Sequence, residues 1–330
     1  MIIAKTPFRM SFFGGGTDMP EFFDKFGGSV ISTSFDKYCY TTVRHLPPFF
    51  DYRSEIAYSK IERVAESADL EHPLVRNAMK HLDIRDIRLT YEADLPARSG
   101  LGTSSSFAVG MLNAFHRLKG KNAEPRRLAD EAIYIERVLC SEAGGWQDQI
   151  AAAYGGFNRI NFHDDDYEVI PMDIAPERRQ KLSESLMMFF TGFTRISSLV
   201  QKESKPIAEK EKELRQMLSL VDDAEAILKT GELDDFGRLL DTTWKLKRQT
   251  GANVSTGKID EYYEKAMKVG ALGGKLLGAG GGGFLVFYVP EDAREKVAAE
   301  MKDLLYIPVS FTDTGSEIIY ESKETDYVQY

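Results

Sequence analysis

Apolar residues dominate the stretch from Ile2 to Phe13 and stop at Gly14-Gly15-Gly16, which predicts a buried strand ended by a glycine turn. A helix is expected over Pro20 to Phe26, and strand material from Gly28 to Val43. Between 87 and 95 the alternation is clean, with Ile87, Leu89, Tyr91, Ala93 and Leu95 on one face and Arg88, Thr90, Glu92 and Asp94 on the other. That is the signature of a half-buried strand. A loop of glycines and hydroxyl residues follows, and Phe107, Met111, Phe115 and Leu118 then recur at helical spacing. A second helix is expected from Pro125, with Leu128, Ala132, Ile135 and Leu139 as its apolar stripe. Glu136 sits at the edge of that stripe, placed to face a cleft without being entombed. Strands near 157–162 and 167–171, with Asp164-Asp165-Asp166 as a solvated hairpin tip, close a first domain over 1–175.

A second domain, 176–330, is expected to open with a strand from Ser185 to Phe193 and to continue through a long helical stretch rich in Lys, Glu and Leu. Gly278-Ala279-Gly280-Gly281-Gly282-Gly283 then precedes a strand from Phe284 to Val289, and a helix near 291–303 and strands near 306–312 and 316–321 end the fold. Strands and helices mix without strict βαβ repetition, so the class read from the pattern is α+β in two domains.

Composition narrows the function classes. Charged residues at 28% and hydrophobic ones at 43% describe an ordinary globular chain, and the net charge of −9 argues against nucleic acid as the main partner. No run approaches the ~18 apolar residues of a membrane span, and Met1 to Lys5 lacks a secretory pattern. Cys39 and Cys140 fit no metal or redox spacing and are expected to be reduced thiols of a cytoplasmic protein.

The chemistry concentrates in Leu95-Pro96-Ala97-Arg98-Ser99-Gly100-Leu101-Gly102-Thr103-Ser104-Ser105-Ser106. Glycines let backbone amides approach an anion, and the helix that follows aims its unpaired N–H groups at it. A hydroxyl at that turn can also reach a magnesium ion riding on the phosphates. Two rival readings fail. Gly278-x-Gly280-x-x-Gly283 matches the dinucleotide string but is followed by a strand rather than a helix, and Gly273-Gly274-Lys275 lacks the Ser or Thr that a Walker A loop needs after its lysine. On residues alone, blander roles stay open: Ser105 and Ser106 as helix caps, Glu136 as an exposed helical residue, Arg9 as half of a surface ion pair, and Asp148 as a turn former.

Three separated elements remain, namely the Gly-Gly-Gly-Thr-Asp turn at 14–18, the Pro-x-x-x-Gly-Leu-Gly-Thr-Ser-Ser loop and the late glycine cluster. In this order across the whole chain they resemble the three motifs of the GHMP kinases. The resemblance implies a two-domain α+β enzyme, the second domain ferredoxin-like, with its active site in the cleft between the domains. It implies ATP and Mg²⁺ as cofactors and a small-molecule acceptor, and leaves the oligomeric state open. Thr6 to Asp18, Gly144 to Gln149 and Gly274 to Phe284 look most like the D-glycero-D-manno-heptose 7-phosphate kinases of that family, and the kinase part of fucokinases shares much of the pattern. Galactokinase-like members carry Gly-Glu-His-Thr-Asp at the first turn, so galactose-type hydroxyl contacts do not transfer.

Carried over residue by residue, the resemblance makes Asp148 and Arg9 the catalytic pair, Asp148 taking or orienting the acceptor hydroxyl proton and Arg9 attracting the transferring phosphoryl group. It puts ATP phosphates on Ser99, Gly100, Gly102, Thr103, Ser104, Ser105, Gly278, Gly280 and Gly281, the metal on Ser104 and Glu136, and the sugar on Gly15, Gly16, Thr17 and Asp18. The acceptor it implies is the anomeric hydroxyl of the heptose phosphate, whose own phosphate needs a second anion site. Arg44, Arg98, Arg195 and Lys247 are the candidates for it. An unphosphorylated-sugar kinase and a sugar- or ATP-sensing regulator on the same fold are the alternatives.

Overall fold

The computed structural model describes residues 1–192 and 206–323. Its organising element is β2 (Gly28–His45), an 18-residue strand long enough to serve two neighbours on one side. Beside β1 (Ile2–Phe13), β2 pairs through residues 28–33 with β6 (Phe157–His163) and through 39–45 with β5 (Ile87–Ala93). β3 (Ser54–Ala57) and β4 (Ile61–Val64) extend this sheet beyond β5. β7 (Asp166–Pro171) closes a hairpin on β6, and Asp164 and Asp165 at its tip both take positive φ, as a two-residue primed turn demands. Asp166 is instead part of the strand and pairs with Arg126 at 2.6 Å.

Helices α1 (Pro20–Phe26), α3 (Thr103–Leu118), α4 (Pro125–Ile133) and α5 (Gln147–Tyr154) follow the sequence pattern, and α2 (Pro73–Leu82) is an element that pattern did not announce. Ile2, Val30, Leu89, Phe115, Leu128 and Ile150 belong to the core that joins α3, α4 and α5 to the sheet. After α6 (Pro176–Ser185) a second unit forms from β8 (Leu186–Phe190), α7 (Ile207–Lys229), α8 (Leu233–Gln249), α9 (Gly257–Lys268), β9 (Gly273–Leu276), β10 (Phe284–Tyr288), α10 (Arg294–Glu300) and β11 (Leu305–Ile307). Its antiparallel order β11-β8-β10-β9 is the ferredoxin-like arrangement.

The two units share a core. Phe8, Met10, Phe12 and Phe13 of β1 pack with Leu186, Phe236, Leu277 and Phe284, and the Phe12 and Phe236 rings meet edge-on at 5.2 Å. The walls of the groove between them are therefore held together by apolar burial.

The division at 175/176 needs one correction. β12 (Phe311–Thr312) and β13 (Glu317–Glu321) do not continue the second unit but return to pair with β2 and β1 of the first. The reason is physical: residues 2–5 of β1 would otherwise present an open sheet edge. Cys39 and Cys140 are free thiols, and among the described residues no helix is long and apolar enough to cross a membrane.

Candidate active site

A cleft of about 890 Å³ lies between the units and takes residues from both. Arg9, in the middle of β1, is only 4% exposed, yet its guanidinium reaches the cleft. Its Nε donates to Asp148 Oδ1 at 2.8 Å, its Nη2 lies 2.7 Å from the same oxygen, and its Nη1 donates to the Gly100 carbonyl at 2.7 Å. One arginine thus ties Asp148, in the first turn of α5, to the glycine-serine loop. A Cβ on Gly102 would stand 3.3 Å from the Asp148 carboxyl carbon, so that loop runs against the carboxylate.

The α3 N-terminus has Gly102 in left-handed conformation as its N-cap and no side chain capping it. Its first amides therefore remain available to an anion in the cleft. Thr103, Ser104 and Ser105 line the cleft there, whereas Ser99 is fully buried behind the loop and does not. The glycine cluster meets the loop backbone to backbone, since a Cβ on Gly278 would fall 2.3 Å from the Gly100 Cα, at a φ of +78°. Gly278→Ala should push the two loops apart and cost about tenfold in kcat/KM for the nucleotide, given a strained φ and a backbone clash. Wild-type steady-state kinetics in this variant would show that the loops do not act as one cradle. Gly280 and Gly281 are placed differently. Both pack on Val254, with Gly281 N–H donating to its carbonyl at 3.1 Å, and neither lines the cleft.

Glu136 departs from expectation. Residues Tyr134–Leu139 continue α4 as a π-helix, a wide turn often found at functional sites, and Glu136 is 2% exposed. Its Oε2 accepts from Ser105 Oγ at 2.7 Å and from Gln149 Nε2 at 2.6 Å, while its buried Oε1 has no hydrogen-bond partner. Burial, then the Glu142 charge, push this carboxyl up to about 7 against the opposing hydrogen bonds. An orphaned carboxylate oxygen beside two serine hydroxyls is a donor set suited to a hard cation that keeps its remaining ligands from water and phosphate. Among the described residues no cluster of three His, Cys, Asp or Glu offers an all-protein metal cage.

The Gly-Gly-Gly-Thr-Asp turn clamps the start of α5. Asp18 Oδ1 accepts from Gly16 N–H at 2.9 Å and Oδ2 from Gln147 N–H at 3.4 Å. A Cβ on Gly145 would strike Asp18 Oδ2 at 1.8 Å, so only glycine lets the loop pass. Burial and the charge of Asp148 raise the Asp18 carboxyl above its ordinary value. Gly15, Gly16 and Asp18 line the cleft, but Thr17 does not. Its hydroxyl donates to the Gly14 and Ser29 carbonyls at 2.8 and 2.9 Å, so Thr17 stitches the turn to β2 and has no hydroxyl to offer a sugar.

Of the basic candidates, Arg98 and Lys247 line the cleft, Arg44 does not, and Arg195 lies outside the described residues. Burial, reinforced by Arg9, pushes the Lys247 amine down to about 8, and it donates to the Gly278 carbonyl. Sequence reasoning missed Lys275, a buried cleft residue whose Nζ donates to the Ser11 and Phe12 carbonyls at 2.7 and 2.9 Å. It pins the second unit to the end of β1. Arg137 and Lys210 also line the cleft without having been singled out. So do Tyr58, His72, Tyr91 and Phe107, whose rings pack at centroid distances of 4.8 Å (Tyr58–His72), 5.7 Å (His72–Phe107) and 4.6 Å (Tyr91–Phe107). Their aromatic types were visible in the sequence, but nothing there brought 58, 72, 91 and 107 together.

Residues 68–156 match the GHMP kinases N terminal domain and residues 223–307 the GHMP kinases C terminal domain. The chain is 29% identical to the D-glycero-alpha-D-manno-heptose 7-phosphate kinase of Campylobacter jejuni, over 95% of this chain and 97% of that protein. It is 30% identical to the galactokinase of Pyrococcus furiosus over 62% of this chain and 64% of that one. The crystal structure of a D-glycero-D-manno-heptose 1-phosphate kinase from Bacteroides thetaiotaomicron superimposes with a TM-score of 0.80 at 25% identity, covering 98% of this chain and all of that one.

Proposed function

The chain belongs to the GHMP kinases, and from that premise we propose that it transfers the γ-phosphoryl group of ATP to the anomeric hydroxyl of D-glycero-D-manno-heptose 7-phosphate, giving the 1,7-bisphosphate. The observation that carries the chemistry is the Arg9–Asp148 pair held against the glycine-serine loop at the open N-terminus of α3. The choice of sugar is supported by likeness to heptose phosphate kinases along nearly the whole chain.

In this reading the acceptor hydroxyl lies against Asp148, whose carboxylate takes its proton as the oxygen attacks the γ-phosphorus and the bond to ADP breaks. Arg9 faces the same point and stabilises charge on the transferring group, while the α3 amides and the Gly100–Gly278 cradle hold the remaining phosphates. Asp18 accepts a sugar hydroxyl and sets the ring's orientation. The aromatic lobe of Tyr58, His72, Tyr91 and Phe107 takes the flat adenine ring, since base–aromatic stacking needs only a π-face. Ser104 and Glu136, with the neighbouring Ser105 hydroxyl, would hold Mg²⁺, which when bound neutralises phosphate charge.

The test is coupled ATP turnover with the heptose 7-phosphate, the heptose 1-phosphate, fucose and galactose side by side. The two heptose-kinase relatives carry names that put the phosphate at different positions, so both isomers belong in the assay. The expected result is a kcat/KM for the 7-phosphate at least tenfold above the others, the least that a charged contact to a second phosphate contributes. Turnover confined to an unphosphorylated sugar would overturn the substrate.

A further inference from the structure

A sugar phosphate brings a dianion at the end of the sugar away from the reacting hydroxyl, and three of the cations named from sequence are badly placed to meet it. Arg98 belongs to the nucleotide loop, Lys247 is engaged at Gly278, and Arg44 is outside the cleft. Resting on the sugar-phosphate kinase reading above, we infer that Arg137, with Lys210 as a second cation of the same cleft, seats the distal phosphate of the acceptor.

Three observations converge on Arg137. It lines the cleft, its side chain is 18% exposed, and its Nη1 is buried without a hydrogen-bond partner in the protein. A buried guanidinium N–H with nothing to donate to costs free energy, and a phosphate oxygen is the acceptor it matches best. Its position along the cleft is fixed by Glu21, whose Oε1 takes the Nη2 hydrogen bond at 3.1 Å. Glu21 lies in the first turn of α1, three residues along the chain from Asp18, so the guanidinium is anchored on the segment that directly follows the sugar-orienting carboxylate. In the pose this implies, Asp148 meets the reacting hydroxyl, Asp18 the ring and Arg137 the phosphate, all three being residues of the same cleft.

Lys210, near the start of α7, enters from the second unit and lines the same cleft, half-buried and within the field of Glu21. Glu21 is 55% exposed and holds the guanidinium through Nη2, which leaves the buried Nη1 without an acceptor. Glu142 also lines this region and repels a dianion, so a phosphate binds only where the two cations outweigh it. A free sugar, with no charge to place there, gains nothing from Arg137.

The experiment compares kcat/KM for D-glycero-D-manno-heptose 7-phosphate and for unphosphorylated D-glycero-D-manno-heptose in the full chain and in its Arg137→Ala, Arg137→Lys and Lys210→Ala variants. In Arg137→Ala the preference for the phosphorylated sugar should fall ~10- to 100-fold, through KM for the sugar phosphate and not KM for ATP. Arg137→Lys should restore part of it, and Lys210→Ala should lose a smaller share. An unchanged preference in Arg137→Ala, or a fall in kcat alone with KM unmoved, overturns the inference and leaves the substrate standing. A wild-type enzyme that prefers the free heptose overturns the substrate reading and this inference with it.

Discussion

Asp148→Asn is expected to lower kcat by ~10²- to 10⁴-fold while leaving the dissociation constant for ATP within a few-fold of wild type. The substitution keeps the shape of the side chain and an oxygen that can accept from Arg9, but an amide cannot take up the acceptor's proton. Arg9 is 4% exposed and would lose the charge that balances it, so some stability should also go. That loss is separable from the chemistry. A thermal melt and a nucleotide titration report folding and ATP binding directly, and the α3 N-terminus that would bind the phosphates does not include Asp148. Turnover within tenfold of wild type would reduce Asp148 to a partner that positions Arg9. A protein that no longer binds ATP would mean that Asp148 holds the loop through Arg9 and Gly100 rather than acting on the acceptor.

Local periodicity announced most elements of this fold because each turns one apolar face to the core. The Ile87–Ala93 strand, the α3 stripe and the hairpin tip at Asp164-Asp165 are all short-range consequences of side-chain order. The three glycine-rich motifs were legible for a related reason, since their composition serves anion binding and little else. Long-range placement was not legible. Nothing in residues 311–321 says that they return to the first sheet, because any alternating strand can cover any open edge. The π-helical turn that buries Glu136 leaves no mark in a 3.6-residue periodicity. Thr17 reads as a candidate sugar ligand until β2 is seen to take its hydroxyl. Lys275 and Arg137 reveal themselves only through the atoms they reach or fail to reach, and those lie at least 100 residues away in the chain or belong to no residue at all.

Glu136→Gln should separate the demands of folding from those of catalysis. In the folded chain this carboxyl titrates at about 7, against 4.5 for an ordinary glutamate. A carboxyl whose folded value is raised holds its proton more tightly in the native state, so the stability it contributes is fully present below about 4.5 and is lost as pH rises through 7. By pH 8 that loss is about 3 kcal/mol for this fully buried group. A neutral glutamine escapes it. Its carbonyl can keep the acceptor position for Ser105 and Gln149, while its amide, placed where Oε1 has no partner, offsets part of that gain. In EDTA the variant should therefore melt roughly 5 °C above wild type at pH 8, with a much smaller gain at pH 5. Activity should move the other way: kcat at saturating Mg²⁺ falls on the order of 10²-fold, because a neutral amide gives up the charge that a hard cation selects. A gain in melting temperature of the same size at both pH values would show that burial of the charge is not what destabilises the wild-type protein. Undiminished turnover would remove Glu136 from the metal site and leave its burial without a catalytic purpose.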